Sequence, residues 1–336
     1  MTIVEVARLA GVSTSTVSHV VNGTRPVRAE TRARVDEAIR ETGYRQDGVA
    51  RALRRSRTDS IGLVLSDVSQ PAFAEMIHGV EREATSAGYT LLLANSAEDP
   101  ATESRALQVL AARKVDGVII APVGGSQRSE ISTIQEQGTP VVLMDRLGGV
   151  RADQVGVENA APMRDLVLHL VGHGHRQIAL AAGDTKVPTI AERHRGYLDG
   201  LAEAGIEADK SLIVTGSGLS ADTREGMLSV LGRPQPPTAV VAVSTGSAAG
   251  VLEAAGRLGL RTPHDFAFAT FDGFPYADLF RPGITTVTQP AYEIGTTAMQ
   301  LLLGRLEGDP KARHRSVRLE PEITYRESCG CSNAAG

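Results

Sequence analysis

Short apolar segments that alternate with amphipathic segments fill the chain from residue 60 onwards. One series of apolar segments lies at residues 61–65 (IGLVL), 89–94 (YTLLLA), 115–121 (VDGVIIA) and 140–144 (PVVLM). A second series lies at residues 177–181 (QIALA), 212–215 (LIVT), 239–243 (AVVAV) and 266–271 (FAFATF). Such short apolar runs, separated by helices, are typical of parallel strands that are buried on both faces. The two series therefore predict two doubly wound α/β subdomains.

The amphipathic segments between these runs predict helices at residues 73–88, 101–113 and 130–137, and a late helix at residues 294–306. Candidate boundaries between the subdomains lie at residues 157–159 and 285–289, after which the chain is expected to return to the first subdomain. In open α/β sheets the loops at the carboxyl ends of the strands line the ligand site. We therefore expect a ligand site at these loops.

Residues 3–22 have the pattern of two helices joined by a tight turn. The first helix is expected to bury an apolar side made of Val4, Ala7, Leu9 and Ala10. Gly11 falls where the chain must turn sharply, and Ser13 can cap the second helix by accepting a backbone hydrogen bond. The second helix is expected to face the first through residues that recur at helical spacing, which are Val17, Val20 and Val21.

The outer face of the second helix carries short polar groups and no carboxylate, namely Thr14, Ser15, Ser18 and His19. Such groups suit base edges and phosphates in a DNA major groove, although an ordinary helical hairpin at the start of an enzyme is the alternative. A third helix is expected at residues 27–43, with Val35, Ala38 and Ile39 facing inward. The pattern of the three helices favours a helix-turn-helix DNA-binding unit.

Charge is distributed unevenly along the chain. Residues 1–58 carry eleven arginines and six acidic side chains, whereas the rest of the chain has a net charge of −9. A basic N-terminal unit on an acidic body is the electrostatic pattern of a small DNA-binding module. No apolar run reaches the roughly 18 residues of a membrane span, and no signal peptide precedes residue 3, so we expect a cytoplasmic protein without membrane contact.

Two cysteines and one histidine-rich stretch are candidate metal ligands. Cys329 and Cys331 form a C-x-C pair for which a metal site is possible, but two surface thiols in a reducing cytosol are the favoured interpretation. The stretch at residues 172–175 (GHGH) is interpreted as a helix end, where glycine stops the helix and histidine meets the helix dipole. We therefore expect no metal site and no cofactor.

Three stretches carry a resemblance to a known family. Residues 6–23 (VARLAGVSTSTVSHVVNG), 30–44 (ETRARVDEAIRETGY) and 49–55 (VARALRR) together resemble the lac repressor family of bacterial regulators, and TVSHV is similar to its purine-repressor-like branch. The resemblance implies a sequence-specific transcriptional regulator, expected to be a repressor. It implies a homodimer that binds a palindromic double-stranded operator with an affinity that a small-molecule effector modulates.

The resemblance also implies a division of the chain. A small all-α helix-turn-helix head would occupy residues 1–47, and a hinge helix with its linker residues 48–58. The effector-binding core, residues 59–330, would resemble a periplasmic binding protein with two doubly wound parallel-sheet subdomains joined by three crossings. Subdomain one would comprise about 59–157 and 288–316, and subdomain two about 158–287 and 317–328.

Family positions assign the DNA contacts. Bases would be read by Thr14, Ser15 and His19 beside Ser18, and phosphates contacted by Asn22, Arg25 and Thr31. In the family, paired hinge helices enter the minor groove and a leucine wedges between central base pairs. The hinge positions here are Leu53 as the wedge, with Val49, Ala50 and Arg54 around it; packing of Leu53 on the core is the alternative. Arg28 replaces the family's capping serine, and Gly48 weakens helix propensity before the hinge.

Four residues are candidates for effector binding. Asp272 ends an apolar strand and Arg193 opens a helix, and the family places both in the effector cleft; a structural ion pair is the alternative. Phe73 could stack on a sugar or base ring, and Arg146 ends another strand. We expect a sugar or sugar derivative, with a purine second. The sequence argues against a solute-binding protein, and against an enzyme because it lacks a nucleophile elbow, a phosphate loop and a metal-ligand cluster.

Overall fold

The computed structural model describes residues 2–23, 25–44, 57–125, 129–217, 219–274, 279–309 and 312–331. The chain forms two compact units, Met1–Thr58 and Asp59–Gly336. No helix in the described ranges combines the length and the apolar composition that crossing a membrane requires.

The first unit contains three helices, α1 (Ile3–Ala10), α2 (Thr14–Asn22) and α3 (Ala29–Thr42). Gly11 ends α1 in the left-handed region at φ +63°, and the Ser13 hydroxyl accepts a hydrogen bond from the backbone N–H of Thr16. Both local predictions are therefore confirmed. Arg28 makes no side-chain cap at the start of α3, as the missing serine led us to expect.

The buried side of α1 differs from the predicted one. Val4 and Leu9 are 61% and 52% exposed, whereas Val6, Ala7 and Ala10 pack against α2 and α3. At about 100° per residue, positions 6, 7 and 10 share one face, and positions 4 and 9 lie roughly 110° to either side of it. The apolar character of Val4 and Leu9 was therefore a poor guide to the side that faces the core.

The first sheet of the second unit has the strand order β11-β5-β4-β3-β1-β2, with every pair parallel. Its strands are β1 (Ser60–Leu65), β2 (Thr90–Asn95), β3 (Gly117–Ile120), β4 (Val141–Met144), β5 (Asp153–Val157) and β11 (Ser316–Leu319). Its helices are α4 (Pro71–Ser86), α5 (Pro100–Ala112), α6 (Ser129–Glu136) and α11 (Ala291–Glu307). β1, β3 and β4 are almost wholly buried, which agrees with their continuous apolar sequence.

The second sheet has the order β12-β10-β9-β8-β6-β7, and only the β10–β12 pair is antiparallel. Its strands are β6 (Ile178–Gly183), β7 (Ile213–Thr215), β8 (Ala239–Ala242), β9 (Ala267–Phe271), β10 (Thr285–Thr288) and β12 (Glu322–Thr324). Its helices are α7 (Ala160–Gly172), α8 (Pro188–Glu203), α9 (Ser220–Leu231) and α10 (Thr245–Leu258), with 3₁₀ turns at Lys210–Leu212 and Glu327–Cys329. The predicted pair of parallel-sheet subdomains is thereby confirmed.

The chain passes between the two sheets after β5, after β10 and after β11. β11 pairs with β5 as far as Leu319, so the third passage follows Leu319. The sequence predicts that subdomain one ends at residue 316 and that the following residues belong to subdomain two. In the structure, β11 still belongs to the first sheet as far as Leu319. After the second passage, α11 packs closely on α4, because Gly79 and Gly295 leave room for the facing backbone.

Candidate effector cleft and DNA-binding helices

A cleft of about 320 Å³ lies between the two sheets of the second unit, at the carboxyl ends of their strands. All four predicted effector residues, Phe73, Arg146, Arg193 and Asp272, line this cleft. Further lining residues include Gln70, Ala72, Met76, Glu98, Asp145, Asp184, Ser244, Thr245 and Gln289. The topology therefore brings together four predicted side chains that are up to 199 residues apart in sequence.

Asp272 directly follows β9 and adopts φ +61°, a left-handed conformation that is uncommon for a residue with a side chain. Its backbone N–H donates to the carbonyl of Val287, which holds this turn against β10. Its carboxylate accepts hydrogen bonds from Gln289 at 2.7 Å and from Arg193 at 2.8 Å. The strained backbone thus directs the carboxylate toward the cleft residues rather than along the strand.

Arg193 is 3% exposed and lies on α8. Its Nε donates to Asn159 at 2.8 Å, and its Nη1 donates to the carbonyl of Val243 at 2.7 Å and to Asp272 at 2.8 Å. The guanidinium also lies 3.6 Å above the centre of the Phe271 ring. The structure therefore contains the Arg193–Asp272 ion pair, and it places that pair in the wall of the cleft.

A hydrogen-bonded chain links this ion pair to the passages between the sheets. Asn159 follows β5 and donates to Glu192 at 2.9 Å while it accepts from Arg193. Glu192 in turn accepts two hydrogen bonds from Arg318 of β11, at 2.8 and 2.6 Å. Burial raises the pKa of Glu192, but the bonds from Arg318 and Asn159 outweigh burial and lower it. Ionised Glu192 therefore connects α8 of the second subdomain to the first sheet.

Arg146 lies on the opposite wall and is 6% exposed. It donates two hydrogen bonds to Glu98, at 2.9 and 2.5 Å, and one to the carbonyl of Pro122 at 3.2 Å. Its Nε is buried and has no hydrogen-bond partner within the described part of the chain. It lies 3.8 Å from the Asp145 carboxylate, with which Arg146 forms an ion pair.

Asp145 is a cleft residue that the sequence argument passed over in favour of its neighbour. It follows β4 at φ +65°, which is the position that Asp272 occupies after β9 in the second sheet. Burial raises its pKa to about 6, with Arg146 and Arg193 opposing the shift and Asp272 and Glu98 adding to it. The signal was present, because Asp145 is the first polar residue after an apolar strand.

Among the described residues that line the cleft, Phe73 is the one aromatic residue. It is 5% exposed, because its ring also packs in the main hydrophobic core. Ser244 and Thr245 also line the cleft. Ser244 caps α10 through the N–H of Ser247, and Thr245 donates to the carbonyl of Gly273. These two hydroxyls therefore support local structure at the rim.

In the first unit, α2 buries Val17 and Val20 against the other helices. Thr14, Ser15 and Arg25 are exposed, and Ser18, His19 and Thr31 are half-buried. The side chain of Asn22 and the predicted hinge residues Val49, Ala50, Leu53 and Arg54 lie outside the described residues.

The C-terminal cysteines depart from the prediction of two surface thiols. Cys329 is fully buried and Cys331 is partly buried, and their sulfurs are 3.1 Å apart. The predicted helix end in the GHGH stretch is confirmed, because α7 ends at Gly172 with His173 as its cap. The same histidine, however, lies 3.5 Å from the sulfur of Cys331, a proximity that a separation of 158 residues concealed.

Comparison with known proteins identifies the family. A model of the bacterial regulatory proteins of the lacI family matches residues 2–47, and a model of the periplasmic binding protein-like domain matches residues 167–329. The HTH-type transcriptional repressor PurR of Mannheimia succiniciproducens is 34% identical over 329 residues, 97% of this chain and 98% of that repressor. The chain belongs to the LacI family. This LacI-family protein is a DNA-binding transcriptional repressor and not an enzyme.

Two solved structures are similar to the LacI-family chain along almost its whole length. The transcriptional regulator CelR, solved as a complex with cellobiose, is 30% identical, covers 98% of this chain and 99% of its own, and has a TM-score of 0.72. The lac repressor dimer bound to operator and the anti-inducer ONPF is 24% identical, with the same coverage and a TM-score of 0.86. This second similarity concerns the fold alone.

Proposed function

We propose that this repressor binds a palindromic operator as a homodimer in the cytoplasm, and that a sugar or sugar derivative in the cleft sets its operator affinity. The observation that carries the effector proposal is a cleft of about 320 Å³ with charged side chains on two opposite walls. One wall offers Arg193 and Asp272, and the other offers Asp145 and Arg146. Carboxylates accept hydrogen bonds from hydroxyl groups, and guanidinium groups donate hydrogen bonds to hydroxyl or ring oxygens. This combination of acceptors and donors suits a polyhydroxylated ligand.

The relative solved with cellobiose supports a carbohydrate effector, since it is 30% identical over almost the whole chain. Phe73 would supply an apolar surface for one face of the sugar ring. A purine-responsive regulator is the second candidate, because the PurR repressor of Mannheimia succiniciproducens is 34% identical over 97% of the chain. A purine would use the same carboxylates for its N–H groups and the same ring for stacking.

For DNA, we propose that Thr14, Ser15 and His19 read base edges while Arg25 and Thr31 contact phosphates. The exposure of Thr14, Ser15 and Arg25 supports these roles. The family resemblance assigns further roles to Ser18, Asn22, Val49, Ala50, Leu53 and Arg54. One head contacts only a few base pairs, so a two-fold dimer on a near-palindrome is needed for specificity.

Coupling between the cleft and the DNA would pass through the connections between the sheets. A ligand that binds Asp272 competes with Arg193 for that carboxylate and so alters the chain that runs through Asn159 and Glu192 to Arg318. The two subdomains would then change their relative position, and the hinge segment at about 48–58 would be ordered or released. Such coupling is a reciprocal two-state equilibrium, so operator binding must change ligand affinity by the same factor.

The test is selection of bound duplexes from a random pool at stated salt, without ligand, with pooled sugars and with pooled purines. A palindrome with a central pyrimidine–purine step supports a dimer with paired hinges. Enrichment that changes with sugars supports the carbohydrate effector, and enrichment that changes only with purines supports the second candidate. Failure to enrich any sequence under all three conditions contradicts the proposed DNA recognition.

A further inference from the structure

Four potential metal ligands meet at the end of α7, away from the residues that line the cleft. His169 lies on the last turn of α7, and His173 caps this helix four residues later, so their rings project from the same side. Cys329 and Cys331 lie on and just after the final 3₁₀ turn. The rings of the two histidines contact edge to face, with centres 4.6 Å apart.

The second sheet holds the cysteine-bearing turn in this place. Ser328 lies between the sheet strands and is fully buried. Its hydroxyl donates to the carbonyl of Phe268 at 2.6 Å and accepts from the N–H of Thr285 at 2.8 Å. On the other side, the His169 ring stacks on Tyr325, with centres 4.1 Å apart. The ligand atoms are therefore positioned by contacts that do not depend on one another.

The ligand atoms of His169, His173 and Cys331 all lie within 4.8 Å of one another, which is close enough for them to bind one ion. His169 Nε2 lies 3.3 Å from Cys329 Sγ and 3.4 Å from Cys331 Sγ, and His173 Nε2 lies 3.5 Å from Cys331 Sγ. The two sulfurs are 3.1 Å apart. Zinc bonds of about 2.0–2.1 Å to nitrogen and 2.3 Å to sulfur require neighbouring ligands at roughly 3.3–3.8 Å in a tetrahedron. The distances from Cys331 to the two histidines lie in that range, whereas Cys329 is closer to Cys331 than two ligands of one zinc ion are.

We propose that His169, His173 and Cys331 form a binding site for Zn²⁺ or another thiophilic divalent cation, with water as the fourth ligand. Two imidazoles and a thiolate are a ligand set that selects such ions over Mg²⁺ and Ca²⁺, which prefer oxygen. The buried Cys329 packs beside this group, with its sulfur 3.1 Å from that of Cys331. His173 is exposed, so an ion can enter from solvent.

The bound ion would join the last turn of the chain to α7 and so stabilise the second subdomain. Cation binding displaces the Cys331 thiol proton, which leaves to solvent as the metal–sulfur bond forms. Because the ligand atoms come from segments about 160 residues apart, the ion binds the folded protein more tightly than the unfolded chain and raises the melting temperature. This site is independent of the proposed effector.

The experiment uses the full-length protein, stripped with a chelator and kept reduced, and titrates it with Co²⁺ and then with Zn²⁺. The wild type should bind one Co²⁺ per chain with thiolate-to-cobalt absorption in the near ultraviolet, and Zn²⁺ should displace it. His173→Ala and Cys331→Ser each remove a ligand near the surface. We expect each to weaken Co²⁺ binding by more than the roughly 10–100-fold that loss of an outer hydrogen-bond partner costs.

His175→Ala is the matched control, since His175 belongs to the same GHGH stretch but bonds to Thr238 at 3.0 Å. It should bind Co²⁺ as the wild type does, and Zn²⁺ should raise its melting temperature equally. Circular dichroism and elution volume verify that each variant is folded. The proposal is overturned if the reduced wild type binds no cobalt, if the two variants bind as tightly as the wild type, or if the cysteines form a disulfide without any reduced, metal-bound state.

Discussion

Replacement of Asp145 by asparagine should stabilise the protein above pH 6. Asp145 is 8% exposed, and its pKa rises from 3.8 to about 6, so the folded state disfavours the ionised carboxylate. A rise of this size corresponds to about 3 kcal/mol between the two protonation states. The folded state holds the proton between pH 4 and 6 while the unfolded state releases it, so this carboxylate lowers the free energy of unfolding progressively over that range.

Asp145→Asn removes this pH dependence. Above pH 6.5 the variant should exceed the wild type by up to about 3 kcal/mol, a value that already includes the attraction of the Asp145 carboxylate to Arg146 and Arg193. Below pH 4 the two proteins should differ little. Urea unfolding of both proteins at intervals of half a pH unit from pH 4 to 7.5 measures the difference between their free energies of unfolding. The contributions of the other carboxylates are the same in both proteins and cancel in this difference.

The control for this series is Asp165→Asn, because Asp165 is 47% exposed in its side chain and pairs with Arg164 outside the cleft residues. Its unfolding free energy should follow the wild type at each pH. If the difference between Asp145→Asn and the wild type is constant from pH 4 to 7.5, burial of an ionised Asp145 is the wrong explanation.

Three further changes test other parts of the account. Gly295→Ala should cost about 1–3 kcal/mol in urea unfolding, because a Cβ would lie 2.1 Å from the carbonyl oxygen of Met76; Gly256→Ala, with no atom within 4 Å of its Cβ, should cost nothing. Arg28→Ser should stabilise the isolated head by about 1 kcal/mol through the missing cap, and an unchanged melting curve would contradict this. Arg25→Ala should weaken binding to all duplexes alike and reduce the slope of log affinity against log salt by about 1, and a change in sequence preference would argue against a phosphate contact.

The sheets were predictable from the sequence where burial on both faces leaves a continuous apolar run, as in β1, β4 and β8. β5 was not predicted, because Asp153, Gln154 and Gly156 interrupt its apolar pattern. The structure explains the buried acid, since Arg305 of α11 pairs with Asp153 and the N–H of Arg315 donates to it. A polar residue with partners this remote cannot be recognised as buried from local sequence.

The candidate cleft was predictable in outline because Phe73, Arg146 and Asp272 each come after an apolar strand. Arg193 also lines the cleft, but it lies in the second turn of α8 and does not open that helix as predicted. Asp145 was missed because Arg146 beside it had the clearer chemistry. Asn159, Glu98 and Gln289 act through contacts with residues far along the chain. The histidine–cysteine cluster shows the same limit, because the GHGH and C-x-C stretches were each interpreted without a metal and, with His169, are joined only by the fold.

The most direct test of the central claim measures operator affinity with and without the effector in three proteins. The operator comes from the duplex selection, the effector from the ligand pool that alters it, and fluorescence anisotropy at fixed salt gives the affinity. The account predicts that ligand changes the affinity of the wild type and of Asp165→Asn by the same factor. Asp272→Asn keeps one oxygen that can accept from Arg193, so it should bind the operator without ligand as the wild type does, yet respond to ligand weakly or not at all. A full ligand response in Asp272→Asn would contradict the proposal that the cleft carries the regulatory signal.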